Sequence, residues 1–177
     1  MPAKPVTCIV ATLVTESGTR ITTKTTAVFT MKSLSRLISP SRITWLEEDN
    51  KNDCLQSMVK CLATSESLEN EESILQAILE REQLLSTGFG LGLAIPHAKI
   101  NVIDDFIVGL AIHRTGVPFD SLDDQPVHIL VMILGPDQKQ DEYLKVLSRV
   151  TAFLKDQREK ILALDDSEKL YELTFDY

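Results

Sequence analysis

The stretch Val127-His128-Ile129-Leu130-Val131-Met132-Ile133-Leu134 constrains this chain more than any other segment. All but one of its residues are apolar and half are β-branched, a composition that favours an extended strand over a helix. Apolar side chains at successive positions leave a strand no solvent-facing side. Such a strand needs cover on both faces and belongs at the centre of a layered α/β protein. The unbroken run Ile129–Leu134 is far below the roughly 18–20 apolar residues that span a bilayer. Together with the absence of a recognisable secretory signal, this predicts a cytoplasmic protein with no membrane contact. Three cysteines, two of them (Cys54 and Cys61) seven apart in a helical pattern, read as packing residues of a reducing compartment and make no disulfide framework.

Other segments supply the covering layers. Leu34, Leu37 and Ile38 form a short apolar stripe that stops at Ser39-Pro40, and Ile43–Leu46 reads as a short strand before the polar run Glu47–Asp53. Leu55, Met58, Val59 and Leu62 recur at the spacing of one helix face. A second helix is marked by Ile74, Leu75, Ile78, Leu79 and Glu82, with Glu69, Glu71 and Glu72 near its start, where the helix dipole favours acids. Phe106–His113 alternates as a strand and Gly116-Val117-Pro118 reads as a turn. Leu144, Leu147, Val150, Phe153 and Leu154 give a helix stripe between Gly135-Pro136 and Asp156, and a last helix begins at Ser167 as N-cap. This order predicts a single-domain α/β sandwich with a mixed central β-sheet flanked by helices.

Residues 1–30 differ from the rest. They are Thr-rich, and Lys4, Arg20 and Lys24 outnumber Glu16, although the whole chain carries a net charge of −8. The segment is expected to be a poorly ordered leader ahead of a domain spanning residues 31–177. A targeting or docking segment, or a strand pair of Val6–Val14 and Ile21–Val28, are the alternatives. The acidic balance without a Lys/Arg cluster argues against nucleic acid as a partner.

The chemistry concentrates in Arg81-Glu82-Gln83-Leu84-Leu85-Ser86-Thr87-Gly88-Phe89-Gly90-Leu91-Gly92-Leu93-Ala94-Ile95-Pro96-His97-Ala98. Neither phosphate-loop pattern fits. No Lys follows the glycines as a Walker loop requires, and Leu93 or Ile95 stands where a dinucleotide fingerprint needs its third Gly. What remains is one imidazole placed just after a proline, beside backbone donors that glycine leaves uncovered. A neutral imidazole whose other nitrogen is held as N–H is a good nucleophile toward phosphorus. A guanidinium such as Arg81, or the N–H groups of Ser86–Gly90, would stabilise charge on the phosphoryl oxygens. His113 reads as a surface or strand-edge residue and His128 as a hydrogen-bonded residue at the core edge. Asp120, Asp123 and Asp124 read as turn residues or as part of a carrier-binding surface. No metal-ligand spacing is present, so neither metal nor other cofactor is expected.

The string Arg81-Glu-x-x-x-Ser86-Thr87-Gly88-x-Gly90-x-Gly92-x-Ala94-Ile95-Pro96-His97 resembles the phosphohistidine motif of the type-2 EIIA domains of the bacterial phosphotransferase system, the fructose/mannitol/nitrogen class. Pro118-Phe119-Asp120-Ser-Leu-Asp123-Asp124-Gln125-Pro126-Val127 resembles the stand-alone nitrogen-regulatory branch in particular. The resemblance runs from about Met31 to Phe175. It implies a phosphotransferase whose His97 takes a phosphoryl group on Nε2 from the small carrier HPr or its nitrogen-branch paralogue. The group then passes to an EIIB partner, or its presence is read by a regulated protein. Arg81 matches the family's active-site arginine, and Ser86 and Thr87 are candidates to orient or bind the phosphoryl group. One departure stands out: Glu142-Tyr143-Leu144 occupies the place of a Glu-His-Leu-like stretch, so Tyr143 replaces a second active-site histidine. A phenol can donate a hydrogen bond but carries no positive charge. This departure motivates one other reading, a non-catalytic sensor or binding module with the same fold; a stand-alone sugar EIIA is a further alternative.

Overall fold

The computed structural model describes the backbone of residues 9–14 and 20–25 and the whole of residues 33–177. The chain divides into two compact units, Met1–Met31 and Lys32–Tyr177. In the first, Ile9–Val14 (β1) pairs antiparallel with Arg20–Thr25 (β2), Ile9 opposite Thr25 and Val14 opposite Arg20. The rest of the expected leader and the boundary at Met31 lie outside the described residues.

The second unit opens with two short 3-10 turns, Leu34–Arg36 and Pro40–Arg42, that lead into Ile43–Leu46 (β3). Helices Lys51–Glu66 (α1) and Glu71–Leu84 (α2) follow, then the short strands Gly88–Gly90 (β4), Leu93–Ala94 (β5) and His97–Lys99 (β6). Two long strands, Ile107–Val117 (β7) and Val127–Gly135 (β8), precede helices Gln140–Ala163 (α3) and Ser167–Glu172 (α4). The strands form one six-stranded mixed sheet in the order β3-β7-β8-β5-β4, with β6 also paired to β8. β7 runs antiparallel to β8, whereas β5 and β6 lie parallel to it along its other edge. The α/β sandwich with a mixed central sheet is therefore the observed architecture. Among the described residues no helix is long and apolar enough to cross a membrane.

β8 sits at the centre because both of its faces are apolar. Leu130, Met132 and Leu134 pack with Leu55, Met58 and Leu62 of α1 and with Ile74 and Ile78 of α2. The alternate residues Ile129, Val131 and Ile133 pack with Val150, Phe153, Leu154 and Ile161 of α3 and Leu170 of α4. The period-two alternation of a strand thus sorts one apolar run into two separate cores. On β7, Gly109 meets α1. A Cβ there would stand 2.6 Å from Leu62 Cδ2 and 3.2 Å from the Arg42 carbonyl oxygen, so only glycine lets the helix seat this closely.

Four local readings are corrected. Gly116-Val117-Pro118 is not a turn, because β7 continues to Val117 through an irregularity at Gly116, whose φ is +82°. α3 does not stop near Asp156. It runs on to Ala163, since the buried Ile161 returns to the stripe of Val150 and Leu154 after polar Gln157. α1 begins inside the polar run, at Lys51, because the Asn50 side chain caps it by accepting the Asp53 backbone N–H at 3.0 Å. The last helix is capped by Asp166, which accepts from the Glu168 and Lys169 N–H groups, with Ser167 as its first residue.

Leu130 is fully buried between β8's neighbours and α1. Leu130→Ala should lower unfolding stability by about 2–5 kcal/mol, the lost transfer energy plus the cavity it leaves. Urea titration should show a reduced midpoint at an unchanged slope.

Candidate active site

β5 and β6 are two pieces of one edge, broken at Ile95-Pro96. The backbone N–H of Ile95, on the side turned away from β8, donates to the Thr87 carbonyl at 3.2 Å, while the Ile133 N–H of β8 donates to the Pro96 carbonyl at 2.9 Å. Proline has no N–H to offer, so the break leaves no donor stranded. The Ile95 carbonyl, on the same side as its N–H, lies 2.8 Å from His97 Nδ1. A carbonyl only accepts, so Nδ1 carries the hydrogen and Nε2 keeps its lone pair.

That lone pair meets Arg81. From the last turn of α2, Arg81 Nε–H donates to His97 Nε2 at 3.2 Å, and its Nη1 donates to the Leu85 carbonyl at 2.9 Å. Burial holds the His97 pKa below its ordinary 6.5, and the Arg81 charge pushes it further the same way. The Ile95 carbonyl and the Glu82 carboxylate oppose these effects without cancelling them. The imidazole is thus neutral at neutral pH, with the nucleophilic nitrogen facing a cation.

Tyr143 reaches the same place from the first turn of α3. Its ring centroid lies 6.0 Å from that of His97 and 5.6 Å from Phe106. Gly135 makes room for it: a Cβ there would meet the Tyr143 ring at 2.6 Å and the Phe106 ring at 2.5 Å. The hydroxyl is buried and donates to the Ala98 carbonyl at 3.3 Å. Burial pushes the phenol pKa above its ordinary value, so Tyr143 stays protonated and uncharged. The structure therefore brings Arg81, His97 and Tyr143 together.

Ser86 and Thr87 are placed differently. Ser86 Oγ donates to the Phe119 carbonyl at 2.8 Å and receives the Gly88 N–H at 3.2 Å. Thr87 is buried, and both its N–H (2.8 Å) and its hydroxyl (2.6 Å) are spent on the Glu82 carboxylate. Both hydroxyls support the loop from within. Two residues of this support were not read as site residues in the sequence, Lys51 and Glu82, which form an ion pair of 2.9 Å. The available signal was a charged residue, Glu82, on the apolar stripe of α2.

The remaining histidines stand apart. His113 is not a surface residue. It is 4 % exposed, with Nε2 3.0 Å from the Glu48 carbonyl, because β7 is covered where β3 turns into α1. His128 lies half-buried, its Nδ1 3.2 Å from the His113 carbonyl. Among Asp120, Asp123 and Asp124, Asp120 pairs with Lys51 at 3.3 Å and Asp123 accepts the Leu91 N–H at 2.9 Å. Among the described residues no cluster of three or more His, Cys, Asp or Glu is placed to hold a metal ion.

The site thus presents a neutral, oriented imidazole with one guanidinium at its lone pair, on an open mixed sheet. The family model described as phosphoenolpyruvate-dependent sugar phosphotransferase system, EIIA 2, matches residues 36–176, and the chain belongs to that family. It is 31 % identical over 140 residues to the fructose-specific EIIA component of the phosphotransferase system of Haloferax volcanii, covering 77 % of this chain and 91 % of that protein. It is 30 % identical over 141 residues to the nitrogen regulatory protein of Bradyrhizobium diazoefficiens, with 78 % and 92 % covered. Among solved structures, the nitrogen regulatory protein IIA-Ntr of Neisseria meningitidis superposes with a TM-score of 0.74 at 26 % identity, over 80 % of this chain and 98 % of that one.

His97 should titrate below 6.5, which a long-range 1H–15N NMR titration will report. Arg81→Met should raise the midpoint by removing the adjacent positive charge. The sign for stability follows from the depressed folded-state value. The contribution of His97 is present above 6.5 and is lost as the pH falls through the lowered value, where the unfolded chain binds the proton more readily.

Proposed function

We propose that His97 is the phosphoryl acceptor of this EIIA-type carrier, and that the donor is the phosphohistidine of HPr or of its nitrogen-branch counterpart. The observation that carries the reading is the pair of bonds on the imidazole: Nδ1–H on the Ile95 carbonyl and the Nε2 lone pair toward Arg81. The lone pair of Nε2 attacks phosphorus as the P–N bond to the donor imidazole breaks, and the donor nitrogen recovers its electron pair. Nδ1 keeps its proton throughout, so no general base is required. As phosphorus arrives, it takes the place of the Arg81 N–H on the lone pair, and the guanidinium turns its donors to the phosphoryl oxygens. Tyr143 lies beside the ring as an uncharged wall. It replaces a second imidazole with a group that leaves Arg81 as the cation of the site.

Leu84 and Leu85 follow Arg81, Val102 lies in the turn after β6 and Leu144 follows Tyr143, and all four are exposed. They supply the modest apolar surface that a transient carrier complex uses. The chain is about equally similar to a fructose-specific component and to a nitrogen regulatory protein. The Pro118–Val127 stretch favours the regulatory role, in which the phosphorylation state is the output; transfer to an EIIB partner is the sugar-transporting alternative.

Intact-mass analysis after incubation with phosphoenolpyruvate, enzyme I and HPr, under non-acidic conditions, should add one phosphoryl group to the wild type and none to His97→Ala. Arg81→Met should slow uptake by about 10²-fold, the usual cost of one lost charge-stabilising donor. Tyr143→Phe should still be labelled. An unlabelled wild type beside fully phosphorylated HPr overturns the proposal and leaves a non-catalytic sensor with this fold.

A further inference from the structure

Glu82 is 6 % exposed, and both its carboxylate oxygens are used. One accepts the Thr87 N–H at 2.8 Å and pairs with Lys51 Nζ at 2.9 Å; the other accepts the Thr87 hydroxyl at 2.6 Å. Lys51 is the first residue of α1 and is held on several sides. Its ammonium lies 3.2 Å from the Phe119 carbonyl, 3.4 Å from Ser86 Oγ and 4.7 Å above the Phe119 ring, besides the Asp120 contact. A buried ion pair is a poor source of net stability, because desolvating both charges offsets most of their attraction. What this pair does provide is a fixed carboxylate that holds Thr87 by two hydrogen bonds.

Two paths lead from this carboxylate to the two nitrogens of His97. In one, Glu82 fixes Thr87, the Thr87 carbonyl receives the Ile95 N–H at 3.2 Å, and the Ile95 carbonyl receives the His97 Nδ1–H at 2.8 Å. In the other, the Glu82–Thr87 bonds close the short turn that contains Leu85, whose carbonyl anchors the Arg81 guanidinium lying on Nε2. We infer that the Lys51–Glu82 pair is a positioning device, setting the tautomer and orientation of His97 and the seat of Arg81 from behind the Gly-rich loop. Neither residue touches the reacting atoms. The inference rests on His97 being the acceptor, but its first readout does not require phosphoryl transfer.

The test uses the full chain with Lys51→Met/Glu82→Gln, which removes both charges together so that neither is left buried and unpaired. In the unphosphorylated protein, long-range 1H–15N correlation should show wild-type His97 as the Nδ1–H tautomer and the double variant as a mixture of both tautomers. The rate constant for phosphoryl uptake from phospho-HPr should fall by about 10- to 100-fold, the cost of a misplaced nucleophile, while the KM for phospho-HPr stays unchanged. Thr87→Val, which cuts one link and leaves the ion pair in place, should shift the tautomer in the same direction. A folded double variant with the wild-type tautomer and rate overturns the inference. So does a double variant that fails to fold while Thr87→Val keeps the wild-type tautomer, since the pair would then serve stability alone. Failure of the acceptor reading is distinguishable: the wild type would take up no label, whatever the tautomer spectra show.

Discussion

Everything in the larger unit depends on satisfying one strand, β8, whose two faces are buried in different cores. A strand without a wet face must pair its backbone on both edges, because an unpaired N–H or C=O away from water costs as much as a lost hydrogen bond. β7 closes one edge with a long antiparallel ladder, and β5 and β6 close the other. That second edge is where the site arises. Along that edge the backbone groups of alternate residues face β8, and those of the residues between them face away from it. At Ile95 the groups turned away from β8 serve the site: the N–H donates to Thr87 and the carbonyl receives His97 Nδ1–H.

The electrostatics of the site follow from that geometry. Phosphoryl transfer between imidazoles needs an acceptor that is neutral before the reaction and a charge partner that can follow the phosphoryl oxygens. Burial and Arg81 hold His97 neutral, and the Ile95 carbonyl decides which nitrogen carries the proton. Tyr143 adds shape without charge: its hydroxyl is committed to the Ala98 carbonyl, and its ring fits where Gly135 has no side chain. In the proposed site a single imidazole faces a single guanidinium, and its support lies behind it, in the polar cluster of Lys51, Glu82, Ser86 and Thr87.

Local periodicity made much of the fold legible. The α1 stripe of Leu55, Met58, Val59 and Leu62 is buried as its spacing implies, as are Ile74 and Ile78 of α2. Ends were less legible, because they depend on side chains that act over one or two residues and on contacts remote in sequence. Asn50 capping starts α1 inside a polar run, and Gly116 carries β7 onward where glycine and proline suggest a turn, with the His128 ring packed against it. His113 was misread for the same reason: nothing adjacent to it shows that the Glu48 segment folds over it.

The sequence by itself determined the two-faced central strand, the flanking amphipathic helices and the candidate pair Arg81 and His97, because apolar period and motif spacing are properties of neighbouring residues. Only the tertiary structure decided what those residues do to one another. It gave His97 its tautomer through a carbonyl two residues away, turned Ser86 and Thr87 inward, and set Lys51 against Glu82 across 31 positions of chain. Hydrogen-bond direction and buried charge pairing depend on which backbone groups the sheet leaves unpaired, and that is settled only when the strands come together.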